Sequence, residues 1–448
     1  MSVTEAIATI TAGPKGPEIG AFFDFDGTLI DGFSALAYFT DKLRRRELGL
    51  REAADIIRTA LRGDMNEREF DAFFAKNVAE WAGHPEDKLV ELWSRLFRDT
   101  IAGWTFPEAW DLVKAHQKMG HTVAIASSAT RYQVDPIAEE LGIEHVLSTR
   151  VMVRDGKLTG TVDGMTLWGT GKAQAVLDFA TRHGIALAQS FGYANGNEDI
   201  AFLKTVGHAT AVNPKPALVA AAQREGWNVL RFARRRKPSL AMRARSAGAY
   251  GALAAASLGG FATRRKVRAA EWVSARGSDA ILAVAGVKVD VAGEQHLWAH
   301  RPCVFMFNHQ SVADDYVLLT LLRRGITGIA GIEAMQPAID WIRRGISVVI
   351  APEGTRSVSP RLGQFKKGAF HIAMQAEVPI VPVILRNTYT VLPRHSRLFR
   401  PGTVQVCVLP PIDVTAWQNE NLDRHIADVR ALFQRILDDD SNLAPAHN

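Results

Sequence analysis

Short apolar runs that end abruptly on charged or polar turns limit the fold of this chain more than any other feature. Ile19-Gly20-Ala21-Phe22-Phe23 runs into Asp24-Phe25-Asp26-Gly27-Thr28. Val123–Ala126 runs into Ser127, Val304–Phe307 into Asn308-His309, and Val348–Ala351 into Pro352-Glu353-Gly354. Each run reads as a buried strand, and stretches with helical spacing separate them. Strands predicted at 189–193, 208–212 and 378–383, a hairpin around 157–162, and helices at 172–183 and 316–322 complete the pattern. Such alternation predicts α/β folds that carry their functional groups at strand C-terminal ends. The stretch from about 34 to 102 interrupts the first of them with helical spacing alone.

A chain of 448 residues has room for two or three domains. It contains two cysteines, Cys303 and Cys407, which fits a reducing cytosol and excludes a disulfide framework or a zinc-ligand set. Residues 1–18 show no basic stretch followed by an apolar one, so no secretory signal is expected.

The net charge of +6 belongs to one segment. Residues 231–276 hold twelve Lys/Arg and a single acid, Glu271, a local +11 that leaves −5 for the rest. Within it lies an uncharged stretch, 246–263, dominated by Ala, Gly and Ser. It is near the lower length limit for a membrane span, and charge on both flanks gives no orientation signal. The expectation is a helix on, or shallowly in, an anionic membrane at its cytoplasmic face. A solvated basic linker is the plainer alternative. Nothing in the sequence accompanies the charge to suggest nucleic acid.

Four motifs in the first half occur in a fixed order: Asp24/Asp26, Ser127, Lys172, and Asn195-Gly196-Asn197-Glu198-Asp199. On these residues the region from 18 to 222 resembles the haloacid-dehalogenase superfamily, in its phosphoserine-phosphatase-like branch, whose Rossmann-like domain carries a helical cap after the first strand. The resemblance implies an Asp24 nucleophile, an Asp26 acid–base, and Ser127 and Lys172 on the phosphoryl oxygens. It implies Mg²⁺ held by Asp24, the Asp26 carbonyl, Asn195 and Asp199. Asn195 stands where the family usually has Asp, which weakens the metal field.

In the second half, His309 and Asp314 form a His-x₄-Asp pair, followed by Pro352-Glu353-Gly354-Thr355-Arg356-Ser357 and Val378-Pro379-Ile380-Val381-Pro382-Val383. With these blocks, 281–415 resembles the α/β glycerolipid acyltransferases, specifically those of lysophosphatidic acid. The resemblance implies a His309 base oriented by Asp314, with Glu353, Gly354, Thr355, Arg356 and Lys366 at the acceptor's phosphate, and acyl-CoA or acyl carrier protein as donor. A further block of that family, Gly-x-x-Phe-Ile-x-Arg, has no match, and the chain is internally shortened near 325–335. That favours, as the alternative, a phosphatase joined to a lipid-binding adaptor without acyl transfer. Residues 418–448 read as a C-terminal helix and tail.

Overall fold

The computed structural model describes residues 1–47, 49, 65–233, 239–261, 266–328, 335–357, 361–393 and 396–438. The basic run 234–237, Arg264-Arg265, most of the shortened stretch and the C-terminal tail lie outside them. The chain forms two compact units, Met1–Lys237 and Pro238–Asn448.

The first unit is built on seven strands: β1 (Gly20–Phe23), β2 (Thr122–Thr130), β3 (His145–Arg154), β4 (Lys157–Asp163), β5 (Phe191–Ala194), β6 (His208–Val212) and β7 (Asn228–Leu230). Their order is β4-β3-β2-β1-β5-β6-β7, parallel throughout except for the β3–β4 hairpin at one edge. All four residues of β1 are buried, as a strand covered by helices on both faces must be. The chain leaves β1 for β2 on one side and returns to β5 on the other. That reversal opens a crevice at the C-terminal end of β1, where Asp24 sits. The interruption predicted from 34 to 102 contains the helices Ala35–Arg44, Glu67–Ala79 and Glu86–Asp99.

The second unit contains β8 (Val287–Ala292), β9 (Val304–Phe307), β10 (Ile326–Gly328), β11 (Ser347–Ile350), β12 (Ile380–Arg386) and β13 (Gly402–Val408). Their order is β10-β11-β9-β12-β13-β8, with β12–β13 the antiparallel pair. Along β12, Val381, Val383 and Leu385 join one apolar cluster while Ile380 and Ile384 join the cluster on the other face. The period-two alternation of a strand therefore explains an uninterrupted apolar run: both faces are covered. β9 lies between β11 and β12, so its C-terminal end is again a switch point.

The weakly apolar segment takes a form that composition did not suggest. Leu240–Phe261 is the first helix of an antiparallel pair, and Lys266–Ala285 is the second. Small residues close the pair. A Cβ added at Gly277 would lie 2.7 Å from Leu253 Cδ1, and one at Gly248 would lie 3.4 Å from Val284 Cγ1. Ala249, Ile281, Leu282 and Ala285 are buried in the same apolar cluster as Phe305 and Val383. The Ala and Gly content thus serves helix packing at least as much as any lipid surface. No helix among the described residues is long and apolar enough to cross a membrane.

Candidate active sites

The turn after β1 holds the first constellation. Asp24 N donates to the Tyr193 carbonyl of β5, fixing the chain as it leaves the sheet. Its Oδ2 accepts from Thr28 Oγ1 at 3.1 Å and its Oδ1 from Lys172 Nζ at 2.8 Å. Lys172, in the helix Thr170–His183, also donates to Asp199 Oδ1 at 2.5 Å. Asp199 Oδ2 accepts from Gly196 N. The three charged side chains are all nearly sealed from water. Burial raises the Asp24 carboxyl to about 6 although Lys172 opposes it and Asp199 adds to it. Burial alone would lower Lys172, but Asp199 and Asp24 reverse that and hold it firmly protonated. An ammonium has three N–H donors and two are used here, so one is left for a phosphoryl oxygen.

Asp26 faces a different set of partners. Ser34 donates to it through both N, at 2.7 Å, and Oγ, at 3.1 Å, and Gln133 Nε2 donates to Ser34 Oγ at 3.0 Å. Burial lifts this carboxyl to about 7, with Ser34 opposing. A carboxyl that keeps its proton near neutrality is suited to protonating a leaving alkoxide. Ser34 and Gln133 escaped the sequence reading because neither belongs to a motif and 99 residues separate them. Ser127 is buried, and its Oγ accepts from Ala129 N at 3.2 Å, beside the irregularity where β2 shifts register against β3.

Asn195 lies against Gly27. Gly27 has φ of 88°, and any Cβ there would overlap the Asn195 amide. Asp24, the Asp26–Gly27 peptide and Asn195 thereby supply hard oxygen donors of the kind Mg²⁺ takes, so the residues present fit the ion. They include few charges. Among the described residues no three His, Cys, Asp or Glu side chains gather to hold a metal. Both oxygens of Asp199 are engaged by Lys172 and Gly196, and Glu198 lies 3.4 Å from Lys215. Asp199 thus orders Lys172 in addition to its expected place at the metal, a second task the sequence reading did not give it.

The second constellation stands at the end of β9. Asn308 clamps β12 through both amide atoms, to Leu385 O at 2.8 Å and from Leu385 N at 2.7 Å, and so aims the next residue outward. His309 Nδ1 lies 2.9 Å from Asp314 Oδ2, which also accepts from Gln310 N and Ser311 N. The helix predicted from 316 begins earlier, at Ala313, after a turn in which Ser311 Oγ accepts from Ala313 N at 2.9 Å. That extension puts Asp314 in the first helical turn, fully buried, while His309 keeps an exposed edge. With Nδ1–H given to Asp314, the Nε2 lone pair of His309 is the free base.

Glu353 is a structural clasp. Its Oε1 accepts from His309 N at 3.0 Å, and its Oε2 from Ser357 Oγ at 2.6 Å and Gly363 N at 2.8 Å. Ser357 N closes the loop onto His309 O. Gly354 has φ of 72°, and the Lys366 side chain folds so closely over it that a Cβ would lie 2.7 Å from Nζ. Thr355 and Arg356 follow in the same loop, and burial raises the Asp315 carboxyl against the pull of His309 and Arg356. The loop after β11 and the turn after β9 are thus one unit, which 44 residues of intervening sequence concealed.

Residues 21–204 match the haloacid dehalogenase-like hydrolase family model, and residues 330–386 match the acyltransferase model. The chain is 32% identical over 246 residues to a probable phosphatase of Mycobacterium tuberculosis (strain ATCC 25618 / H37Rv), covering 52% of this chain and 85% of that protein. It is 27% identical over 182 residues to a 1-acyl-sn-glycerol-3-phosphate acyltransferase of Limnanthes alba, covering 34% of this chain and 64% of that protein. Among solved structures it is similar to the 1-acyl-sn-glycerophosphate acyltransferase of Thermotoga maritima, with TM-score 0.39, 21% identity, and coverage of 45% of this chain and 97% of that one.

Proposed function

Because the chain belongs to the haloacid dehalogenase-like hydrolases through its first half and carries an acyltransferase domain in its second, we propose that it runs two reactions of phospholipid synthesis. The first unit hydrolyses a phosphomonoester. The second acylates lysophosphatidic acid to phosphatidic acid, using acyl-CoA or acyl carrier protein. One observation carries the reading: each unit seats a partnered acid at the C-terminal end of a strand inside its sheet, Asp24 with Lys172 from 148 residues away and Asp314 with His309.

In the first reaction Asp24 attacks phosphorus and carries the phosphoryl group. The remaining N–H of Lys172 and the Ser127 hydroxyl hold phosphoryl oxygens. Asp26 gives its proton to the leaving alcohol and later takes one from water. Asp24, the Asp26 carbonyl, Asn195 and Asp199 would hold Mg²⁺, which would supply charge neutralisation between phosphate and nucleophile. Since Asn195 contributes no charge, Asn195→Asp is expected to lower the Mg²⁺ concentration for half-maximal phosphate release. An unchanged titration curve would remove Asn195 from the metal's shell.

In the second reaction the thioester is already activated, and the need is a base for the acceptor hydroxyl. His309 Nε2 takes that proton while Asp314 supports the imidazolium. Arg356 and Lys366 bind the acceptor's phosphate. A purified-chain assay for acyl transfer to lysophosphatidic acid, beside phosphate release, tests both halves. The alternative is a phosphatase whose second unit binds lipid without acyl transfer. It draws on the shortened stretch: the Gly-x-x-Phe-Ile-x-Arg block is missing between His309 and Glu353.

The protein works, in this reading, at the cytoplasmic face of an anionic membrane. The support is the +11 of residues 231–276, with Arg243, Arg245 and Leu240 exposed on the first hairpin helix. Vesicle binding is expected to rise with anionic lipid and fall with salt, each basic side chain near the surface contributing about 1 kcal/mol. Equal sedimentation with neutral and anionic vesicles at every salt concentration would contradict it.

A further inference from the structure

A pocket opens beside Asp26, between the helices inserted after β1 and the C-terminal end of β2. Its walls include Phe33, Phe70, Phe73, Phe74, Trp81 and Trp93. Phe33, Phe73, Phe74 and Trp81 are only half-buried. So many large aromatic rings left partly open around one cavity mark a ligand site rather than a finished core.

The chemistry of the walls is one-sided. Among the described residues lining the pocket, Asp26 alone is charged. Three of the polar groups are spent internally: Asn77 Nδ2 donates to Phe73 O, Trp81 Nε1 to Tyr38 Oη, and Gln133 to Ser34; Trp93 Nε1 is the buried donor left without a partner among the described residues. Two cations of the same helices are paired away from it, Lys42 with Glu80 at 2.9 Å and Arg95 with both oxygens of Asp41. A substrate such as phosphoserine brings an ammonium and a carboxylate beyond its phosphate. The carboxylate would lose water here with no cation in the lining to meet it, and the ammonium would find only the Asp26 carboxyl that Ser34 already engages. An apolar chain loses nothing and gains the rings.

Position decides which part of the substrate enters. Asp26 lines the pocket and stands two residues after the Asp24 nucleophile, so the pocket lies beside the phosphoryl group, where the alcohol of the ester has to sit. We infer that the pocket takes the apolar alcohol of a phosphomonoester, and that the first unit acts on phosphates of alkyl- or acyl-bearing alcohols. The inference rests on the hydrolase reading above. The P–O bond to the alcohol breaks, Asp24 receives the phosphoryl group, and Asp26 gives the alkoxide its proton. Water then releases inorganic phosphate.

The test measures phosphate release by the full chain with straight-chain alkyl phosphates from ethyl to decyl, an acylglycerol phosphate and O-phosphoserine. The Asp24→Asn chain serves as the blank. kcat/KM is expected to climb about three- to four-fold per methylene until the pocket is filled. Phosphoserine is expected to lag, and Phe74→Arg to flatten the climb. An acylglycerol phosphate that outruns the alkyl phosphate of equal chain length assigns a glycerol-bearing lipid, and the reverse order assigns a plain apolar alcohol. Asp24-dependent hydrolysis that is fastest on phosphoserine overturns the inference and leaves the hydrolase reading standing. If no substrate gives Asp24-dependent release, the hydrolase reading falls and tryptophan fluorescence decides the pocket. A shift with decyl phosphate that Phe74→Arg abolishes keeps the apolar site. No shift ends it.

Discussion

Asp24→Asn is expected to reduce phosphate release by a factor on the order of 10⁴–10⁶, the loss seen when a covalent nucleophile is removed, while acyl transfer continues at its original rate. An amide oxygen cannot accept and then release a phosphoryl group as a carboxylate does. The fold should survive. Asp24 and Asp199 are two carboxylates on one buried lysine, and Asp199 disfavours charge on Asp24. Neutralising Asp24 leaves the Lys172–Asp199 pair intact, with an oxygen still able to accept from Lys172. The loss should therefore appear in turnover and not in thermal stability. Phosphate release above about one part in a hundred, in a variant with a wild-type melting temperature, would remove Asp24 from the role of nucleophile.

His309→Ala is the second large effect. Removing a general base costs about 10²–10⁴ in turnover, and Arg356→Ala should instead raise KM for lysophosphatidic acid, because a phosphate clamp binds ground and transition states alike. Phosphate release by the first unit is the internal control and should not move. The geometry favours a working base: Asp314 holds Nδ1 at 2.9 Å and is itself fixed by two backbone N–H groups. Should wild type and His309→Ala be equally inert, with Arg356→Ala still weakening lysophosphatidic acid binding, the second unit is a lipid-binding adaptor. In that case the shortened stretch has removed acyl transfer and kept the phosphate clamp.

What the sequence determined was local. Apolar runs ending on acids or on His309 gave the strands, because a buried parallel strand needs an unbroken apolar run and its C-terminal turn is where polar groups can face a crevice. β6 and β9 lie where the runs were read. The motif residues Asp24, Lys172, His309 and Asp314 were legible for the same reason: their chemistry is carried by residue type and order.

Tertiary structure decided the partners. Lys172 reaches Asp24 across 148 residues, Gln133 reaches Ser34 across 99, and Glu353 reaches the backbone of His309 across 44. No periodicity records such pairings, since period and capping describe only near neighbours. Packing also settled the form of two features. The Ala- and Gly-rich stretch became one half of a helical pair, because small residues let two helices approach. Aromatic residues spaced along the inserted helices became a pocket, because their helices fold together over the turn after β1. Asp26 shows the division within one residue. Its place in Asp24-Phe25-Asp26 was evident from the sequence, but a proton held near neutrality comes from burial that only the folded chain supplies.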